Sequence, residues 1–459
     1  AKALIFDSYY DDYRGVVLYV RVFDGQLHEG RTIKMMQGAS EAMALEVGIL
    51  TPKMRPESSI GCGNIGYVVT NLRSTKEARV GDTITNADNP AKEPLPGYKN
   101  VQPFVYAGFF PTSNEQYQDL KEAVEKHQAD SGSIIIMDPK TGAIQAMANY
   151  PSFDPNEYAK VSDSSVFSNQ TTVGAYEPGS IFKPLTLAAA MNEGKISANT
   201  TFEDKGEVNV DGFTIKNSDN KAHGTQTISQ ALEKSLNTGM IFAKNTIGNK
   251  KFVEYINKFG FGKKTGIEVT EATGDLRNLD GNIAVNYHTA SFGQGISVTP
   301  IQMVQAYSAI ANGGKMMKPY LVNARISSNG KMEETQPAEA GKPITVQTAS
   351  NIAALMVNVV ENGHGKRAGV PGYYVAGKTG TAQVPKKDGR GYEANNNIGS
   401  FAGFAPVEDP KFVMLVRVNH PRTVSFAEST AAPAFGTMAQ FLLQYYNVIP
   451  SRLDQVMKK

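Results

Sequence analysis

Tyr176-Glu-Pro-Gly-Ser-Ile-Phe-Lys183 runs from a Pro-Gly turn directly into the apolar stretch Leu185 to Met191. A serine and a lysine three apart on a helix share one face, so the amine of Lys183, once unprotonated, can take the hydroxyl proton of Ser180. The same spacing occurs at Ser218 with Lys221 and at Ser328 with Lys331. Ser218-Asp-Asn-Lys221 is polar throughout and reads as a loop, while Ser328-Asn-Gly-Lys331 reads as a hairpin tip. Only Ser180 stands at the start of an apolar helix, where free backbone N–H groups and the helix dipole favour a developing oxyanion.

Outward from this stretch the chain has two textures. Residues 1 to about 110 are short strands separated by turn residues: Gly15 to Asp24, Thr32 to Met36 and Gly66 to Thr70, with Asp24-Gly25 as a hairpin signal. Such spacing without long amphipathic helices predicts a small β-barrel. Val101 to Phe110 adds one more strand, and Glu115 to His127 has helical spacing. From about residue 130 the pattern is mixed. Strands are expected at Ser133 to Met137 and Ala143 to Asn149, and again late at Tyr373 to Val384, Ser400 to Ala405 and Lys411 to Val418. Helices lie between, one starting at Thr299-Pro300 and one around Ile352 to Val359, with a last one near Ala439 to Tyr446. Early and late strands around a helical middle imply one sheet with helices against it.

Composition narrows the chemistry. The 459 residues carry 46 Lys+Arg against 44 Asp+Glu, too even a balance to argue for nucleic acid or an anionic membrane as the main partner. The single cysteine, Cys62, excludes an intrachain disulfide and reads as a small core residue. The six histidines lie far apart and form no local metal signature; His288 and His364 read as ordinary structural or surface residues. No apolar run approaches the length of a membrane span, and the chain as given is expected to be soluble, without leader or anchor.

Two further segments carry the site. Ser-x-Asn occurs at Ser218, Ser235 and Ser327, and Ser235 is favoured because Ile228, Ala231 and Leu232 form an apolar helix face leading to it. Lys-Thr-Gly occurs at Lys140, Lys264 and Lys378. The first two lie in turns, whereas Lys378 follows strand-like Tyr-Tyr-Val-Ala, so a strand would present Lys378, Thr379 and Thr381 along a cleft edge. Gly372 to Thr379 also fits a P-loop spacing, but no helix start follows it. Glu233 with Leu236 and Asn237 imitates a deacylation signature by chance. Tyr176 and Glu177 read as packing at the start of the helix.

YEPGSIFK (176–183), SLN (235–237) and AGKTGTAQ (376–383), in that order, resemble the three motifs of a class B penicillin-binding protein transpeptidase domain. GSIIIMDPKTGAIQAMANYPSFDPN (132–156), FGQGISVTPIQMVQAYSAIANGG (292–314) and FAGFAPVEDPKF (401–412) resemble the same family. The resemblance covers about residues 120–450. It implies an α/β fold of the serine β-lactamase-like kind, a sheet flanked by helices, over residues 128–459. It also implies an acylating D,D-transpeptidase without metal or organic cofactor. Ser180 would be the nucleophile, Lys183 its base and Ser235 a proton relay. Asn237 would hold the substrate amide, Lys378 supply a positive field, and Thr379, Gly380 and Thr381 bind a terminal carboxylate. The substrates implied are peptidoglycan stem peptides, with β-lactams as inhibitors and the cell-wall synthesis machinery as partner, on the outer side of the cytoplasmic membrane. A D,D-carboxypeptidase, a β-lactamase-like hydrolase or a β-lactam sensor would share these motifs.

KALIFDSYYDDYRGVVLYVRVFDGQLHEG (2–30), GILTPKM (48–54), ARVGDTIT (78–85) and LPGYKNVQPFVYAGFFP (95–111) resemble instead the LepA family of ribosome-associated translational GTPases. The match is to its second domain, a β-barrel (1–95), and to the opening strand and helix of its third (96–127). No GTPase segment precedes them, so the resemblance implies a fusion in which the barrel is a passive fold. A ribosome-binding fragment is the alternative, and ribosome contact is not expected.

Overall fold

The computed structural model describes residues 1–11, 14–38, 40–51, 54–72, 77–95, 114–327, 330–386, 391–424 and 426–452. The chain divides into two compact units, Ala1–Tyr106 and Ala107–Lys459.

In the first unit, strands Lys2–Asp11, Gly15–Asp24, Ile65–Thr70, Glu41–Leu50, Thr32–Met35 and Thr83–Asn86 pair in that order, all antiparallel, and the last pairs back onto the first. The ring is therefore a closed six-stranded barrel, as the strand spacing predicted. Alternation explains it: Val16, Leu18, Val20 and Val22 are all at most 1% exposed and meet Ile5, Ile33, Ala44 and Val68 in one core. The hairpin expected at Asp24-Gly25 does not form. Both edges of Gly15–Asp24 are already taken by Lys2–Asp11 and Ile65–Thr70, so the chain turns at Gly25 into a separate ribbon, Gln26–His28 with Ser59–Gly61. Cys62 is not a core residue. It sits in an exposed turn, its thiol 3.0 Å from the Phe23 carbonyl oxygen. The strand expected at Val101 to Phe110 lies outside the described residues.

The second unit is built on a five-stranded antiparallel sheet, in the order Ile144–Tyr150, Ser131–Met137, Phe412–Asn419, Tyr392–Ala405, Ala376–Pro385. The strand carrying Lys378 is an edge. Successive side chains alternate between two cores. Ile135, Met137, Ala402 and Leu415 face one, with helices Lys183–Asn192, Asn237–Lys258, Pro300–Ala311 and Val346–Glu361. Ile134, Ile136, Phe401 and Val416 face the other, covered by helices Asn114–Lys126 and Ala431–Tyr445 through Leu120, Val124, Phe435 and Met438. Thr299 caps its helix reciprocally with Gln302, and Pro300 occupies the first turn, where a missing N–H costs nothing. The last helix begins eight residues before the expected Ala439, because Ala431, Ala432 and Ala434 let it lie close on the sheet and Pro433 falls within its first turn.

Candidate active site

Ser180 stands in a short 3₁₀ turn, Gly179–Phe182, that leads into a helix buried along its whole length from Lys183 to Met191. The turn is fixed from beneath. Tyr176 and Val298 exchange two backbone hydrogen bonds of 3.0 and 2.9 Å, and the Gly179 N–H donates to the Gly293 carbonyl at 2.9 Å. Gly293 has φ +81°, and a Cβ there would lie 2.3 Å from the Gly179 oxygen, so only glycine permits this approach.

Three of the expected residues form one line. Lys183 Nζ donates to the Ser235 carbonyl at 2.6 Å and to Ser235 Oγ at 3.1 Å, and Ser235 Oγ donates to Ser180 Oγ at 3.2 Å. Ser235 reaches this position in the left-handed region, φ +59°, which is unfavourable for a side chain and typical of functional sites. Lys183 is 1% exposed; burial holds its amine well below the ordinary lysine range, and the neighbouring charge of Lys378 lowers it further. Lys378 is itself fully buried and is pushed down to about 7, burial outweighing the opposing pull of Glu428.

The motif strand meets the serine turn closely. A Cβ on Gly380 would lie 2.7 Å from Ser400 Oγ and 3.0 Å from both Ile181 Cγ2 and the Pro178 oxygen, so the glycine lets the turn rest on the strand. Register places Lys378 opposite Ala402 and Thr379 opposite Phe401, hence on different faces of the sheet. At a sheet edge the two still meet: Lys378 Nζ lies 3.3 Å from Thr379 Oγ1. Thr381 Oγ1 accepts from the Ala427 N–H at 3.2 Å. Asn237 opens its helix rather than capping it, and its side-chain amide donates to the Lys216 carbonyl at 2.8 Å.

The decoys fall where the sequence put them. Lys140 lies in a turn and pairs with Asp409, Ser218 lies in a loop, and the chain after Lys378 continues as a strand, not a helix. Ser328 lies outside the described residues, but the flanking segments Ala324–Ile326 and Met332–Glu334 pair as a hairpin. Glu233 accepts from Asn358 at 2.8 Å. His288 is buried and depressed to about 4, while His364 is exposed and 2.9 Å from Glu428. Among the described residues no cluster of three metal-ligating side chains occurs, and no helix is long and apolar enough to cross a membrane.

Two contributors were missed. Asn149, Ser133, Arg417, Ser400 and Gly380 are register partners across all five strands and form one polar row on the side of the sheet that faces Ser180's helix. Arg417, 3% exposed, donates to the Gly174 carbonyl at 2.8 Å, and its guanidinium lies 4.9 Å from the Tyr176 ring centroid. Its signal was legible: one arginine in the otherwise apolar run Phe412 to Val418. Glu177 is the other. Its carboxylate does more than pack, accepting from the Gly295 N–H at 3.0 Å and from Tyr392 Oη at 3.2 Å.

Residues 132–440 match the description "penicillin binding protein transpeptidase domain", which is more than half of the chain. The chain belongs to the penicillin-binding protein transpeptidase family. It is 40% identical over 348 residues to stage V sporulation protein D of Bacillus subtilis, an alignment spanning 74% of this chain and 53% of that protein. The chain thus covers about half the length of that relative. Its transpeptidase fold superposes on penicillin-binding protein 3 of Mycobacterium tuberculosis, solved as an aztreonam complex, with TM-score 0.69 and 28% identity over 74% of this chain and 78% of that one. Residues 15–85 match elongation factor Tu domain 2. Elongation factor 4 of Alkaliphilus oremlandii is 44% identical over 142 residues, 31% of this chain and 23% of that factor. A transpeptidase unit and a translation-factor barrel therefore share one chain.

Proposed function

We propose that the transpeptidase unit is an acyl-transferring serine enzyme that cuts the bond between two D-alanines of a peptidoglycan stem peptide and passes the acyl group to an amine of a second strand. The observation that carries this is the unbroken line Ser180 Oγ, Ser235 Oγ, Lys183 Nζ, with steps of 3.2 and 3.1 Å, ending at an amine that burial pushes well below the ordinary lysine range. The hydroxyl protons rotate, so the line runs in either direction. Ser180 attacks the scissile carbonyl carbon, and its proton passes through Ser235 to Lys183. When the carbon–nitrogen bond breaks, the departing amine takes that proton back by the same route. A primary amine then attacks the ester on Ser180, the carbon–oxygen bond breaks, and the proton the amine gives up passes by way of Lys183 and Ser235 to the departing Ser180 oxygen, which frees the serine.

Lys378, protonated when a ligand carboxylate arrives, supplies the field that holds that carboxylate beside Thr379 and Thr381. The backbone N–H groups of Ser180 and Thr381 form the oxyanion hole, each donor contributing roughly 3 to 4 kcal/mol to the transition state. Asn237 orients the substrate amide. A β-lactam presents the same carboxylate and a strained amide, and its opened ring stays attached to Ser180. This unit works on the outer side of the cytoplasmic membrane, and the barrel is a passive fold. Intact-mass measurement after incubation with benzylpenicillin tests the reading. One penicilloyl group is expected on the wild type and none on Ser180→Ala; an unmodified wild type, or equal labelling of both, refutes it. Rapid loss of the adduct would turn the assignment from transferase to hydrolase.

A further inference from the structure

The hairpin that bears Lys378 has a projecting end. Pairing with the third strand, Phe412–Asn419, stops at Ile398 opposite Asn419, with one more backbone bond from the His420 N–H to the Asn397 carbonyl. Beyond that point, among the described residues, Gln383 to Pro385 and Tyr392 to Asn396 have only each other in the sheet, joined at Pro385 opposite Tyr392. A two-stranded ribbon is marginally stable by itself. Tyr392 at its far end donates its hydroxyl to Glu177 Oε2 at 3.2 Å. Glu177 stands three residues before the nucleophile, and its other oxygen accepts from the Gly295 N–H at 3.0 Å. Gly295 belongs to the loop that also receives Gly179 at Gly293 and Tyr176 at Val298.

One carboxylate therefore joins three segments: the approach to Ser180, the loop beneath it and the projecting end of the Lys378 hairpin. We propose that Glu177 is a positioning residue, a latch that holds the Lys378 hairpin against the nucleophile turn so that the serine and the carboxylate-binding edge keep a fixed separation. This rests on the reading of Ser180 as an acyl acceptor. The latch acts on geometry rather than on the reacting atoms. Its loss lowers the rate of bond formation, because a misplacement of about 1 Å costs up to about a hundredfold in rate. It leaves affinity for a small carboxylate ligand nearly unchanged.

The test is stopped-flow acylation of the full chain by a fluorescent penicillin, resolving the dissociation constant of the first complex from the first-order acylation step. Glu177→Ala is expected to slow acylation between about tenfold and a hundredfold, with the dissociation constant and the thermal midpoint close to wild type. Glu177→Gln keeps an oxygen for the Gly295 N–H and a polar partner for Tyr392, and should restore most of the rate. Tyr392→Phe, which releases only the hairpin, should fall between the two. Wild-type acylation by Glu177→Ala, equal impairment in the Ala and Gln variants, or a rate loss that tracks a falling thermal midpoint would each overturn the latch. If Glu177→Ala does not fold, Tyr392→Phe decides by itself, and an unchanged rate there overturns it too. A wild type that is never acylated refutes the functional reading instead.

Discussion

Replacing Lys183 by Met should make the protein more stable and catalytically silent at once. Lysine ordinarily titrates at 10.5, yet Lys183 is 1% exposed in an apolar helix with Lys378 nearby, and both influences disfavour its charged form. Burying an amine whose charged form is so disfavoured costs the folded state stability at any pH where the unfolded lysine is protonated. Its contacts to the Ser235 carbonyl (2.6 Å) and hydroxyl (3.1 Å) offset part of that cost. A methionine fills nearly the same volume, removes the penalty and leaves those two oxygens short of a donor, a loss of about 2 to 3 kcal/mol. The penalty removed is expected to exceed that loss, so the thermal midpoint should be higher at pH 7. That gain should shrink as the pH rises toward 10, since the unfolded lysine then also gives up its proton. Acylation by benzylpenicillin, followed by intact mass, should slow by about 10³-fold or more with the base gone. A Lys183→Met protein less stable than wild type at pH 7, or a gain that does not depend on pH, would refute the account of Lys183 as a buried neutral amine.

Two further outcomes follow from the same geometry. Lys378, near 7, is charged below that value and neutral above it, so the first, noncovalent complex with a penicillin carboxylate should weaken above pH 7 at a slope approaching tenfold per unit. Below pH 7 it should level off, and stopped-flow binding across pH 5.5 to 9, a range set by about two pKa units around the group, reads it; a flat profile counts against Lys378 as the carboxylate holder. Gly380→Ala puts a methyl 3.0 Å from Ile181 Cγ2 and the Pro178 oxygen and 2.7 Å from Ser400 Oγ, forcing the serine turn off its strand. It should slow acylation by at least about tenfold while the protein stays folded, and wild-type acylation would show that the turn does not rest on this strand.

What could be read from the sequence was local, and what could not was distant. Ser180 and Lys183 stand three apart where a short turn enters a helix, Thr299 and Gln302 cap a helix three residues apart, and the barrel strands alternate at period two; each signal spans only a few residues. The choice of Ser235 over Ser218 also came from a neighbouring helix face, Ile228, Ala231 and Leu232, all fully buried. Glu177 gave no such signal, because its two partners lie 118 and 215 residues away. Cys62 was misplaced for a related reason: a small apolar residue between two glycines suits a core or an exposed turn equally, and only the pairing of Gln26–His28 with Ser59–Gly61 puts it outside. At Asp24-Gly25 the local turn chemistry was present, but strand partners already in place outweighed it.

The sheet itself carries a cost whose place suggests its purpose. Among the described residues, buried side-chain atoms without a hydrogen-bond partner include Asn149 Oδ1, Ser133 Oγ and Arg417 Nε, all in the one polar row, and Tyr176 Oη on the ring that faces Arg417. Ser133 and Arg417 alternate along their strands with residues such as Ile134 and Val416, so aliphatic residues could have filled the row, and a buried arginine is often replaceable by them without loss of stability. The row ends at Gly380, two residues along the strand from Lys378 and against Pro178 and Ile181 of the serine turn, whose Ser180 is joined to the left-handed Ser235. Part of the unfavourable burial, together with the left-handed Ser235, thus falls in the segments that build the candidate site, while the surrounding cores of Ile, Leu, Val and Phe supply the surplus that tolerates it. Polar residues drawn to one face of the sheet from segments as distant in the chain as those of Ser133 and Arg417 are what the proposed pre-organised acyl-transfer site requires.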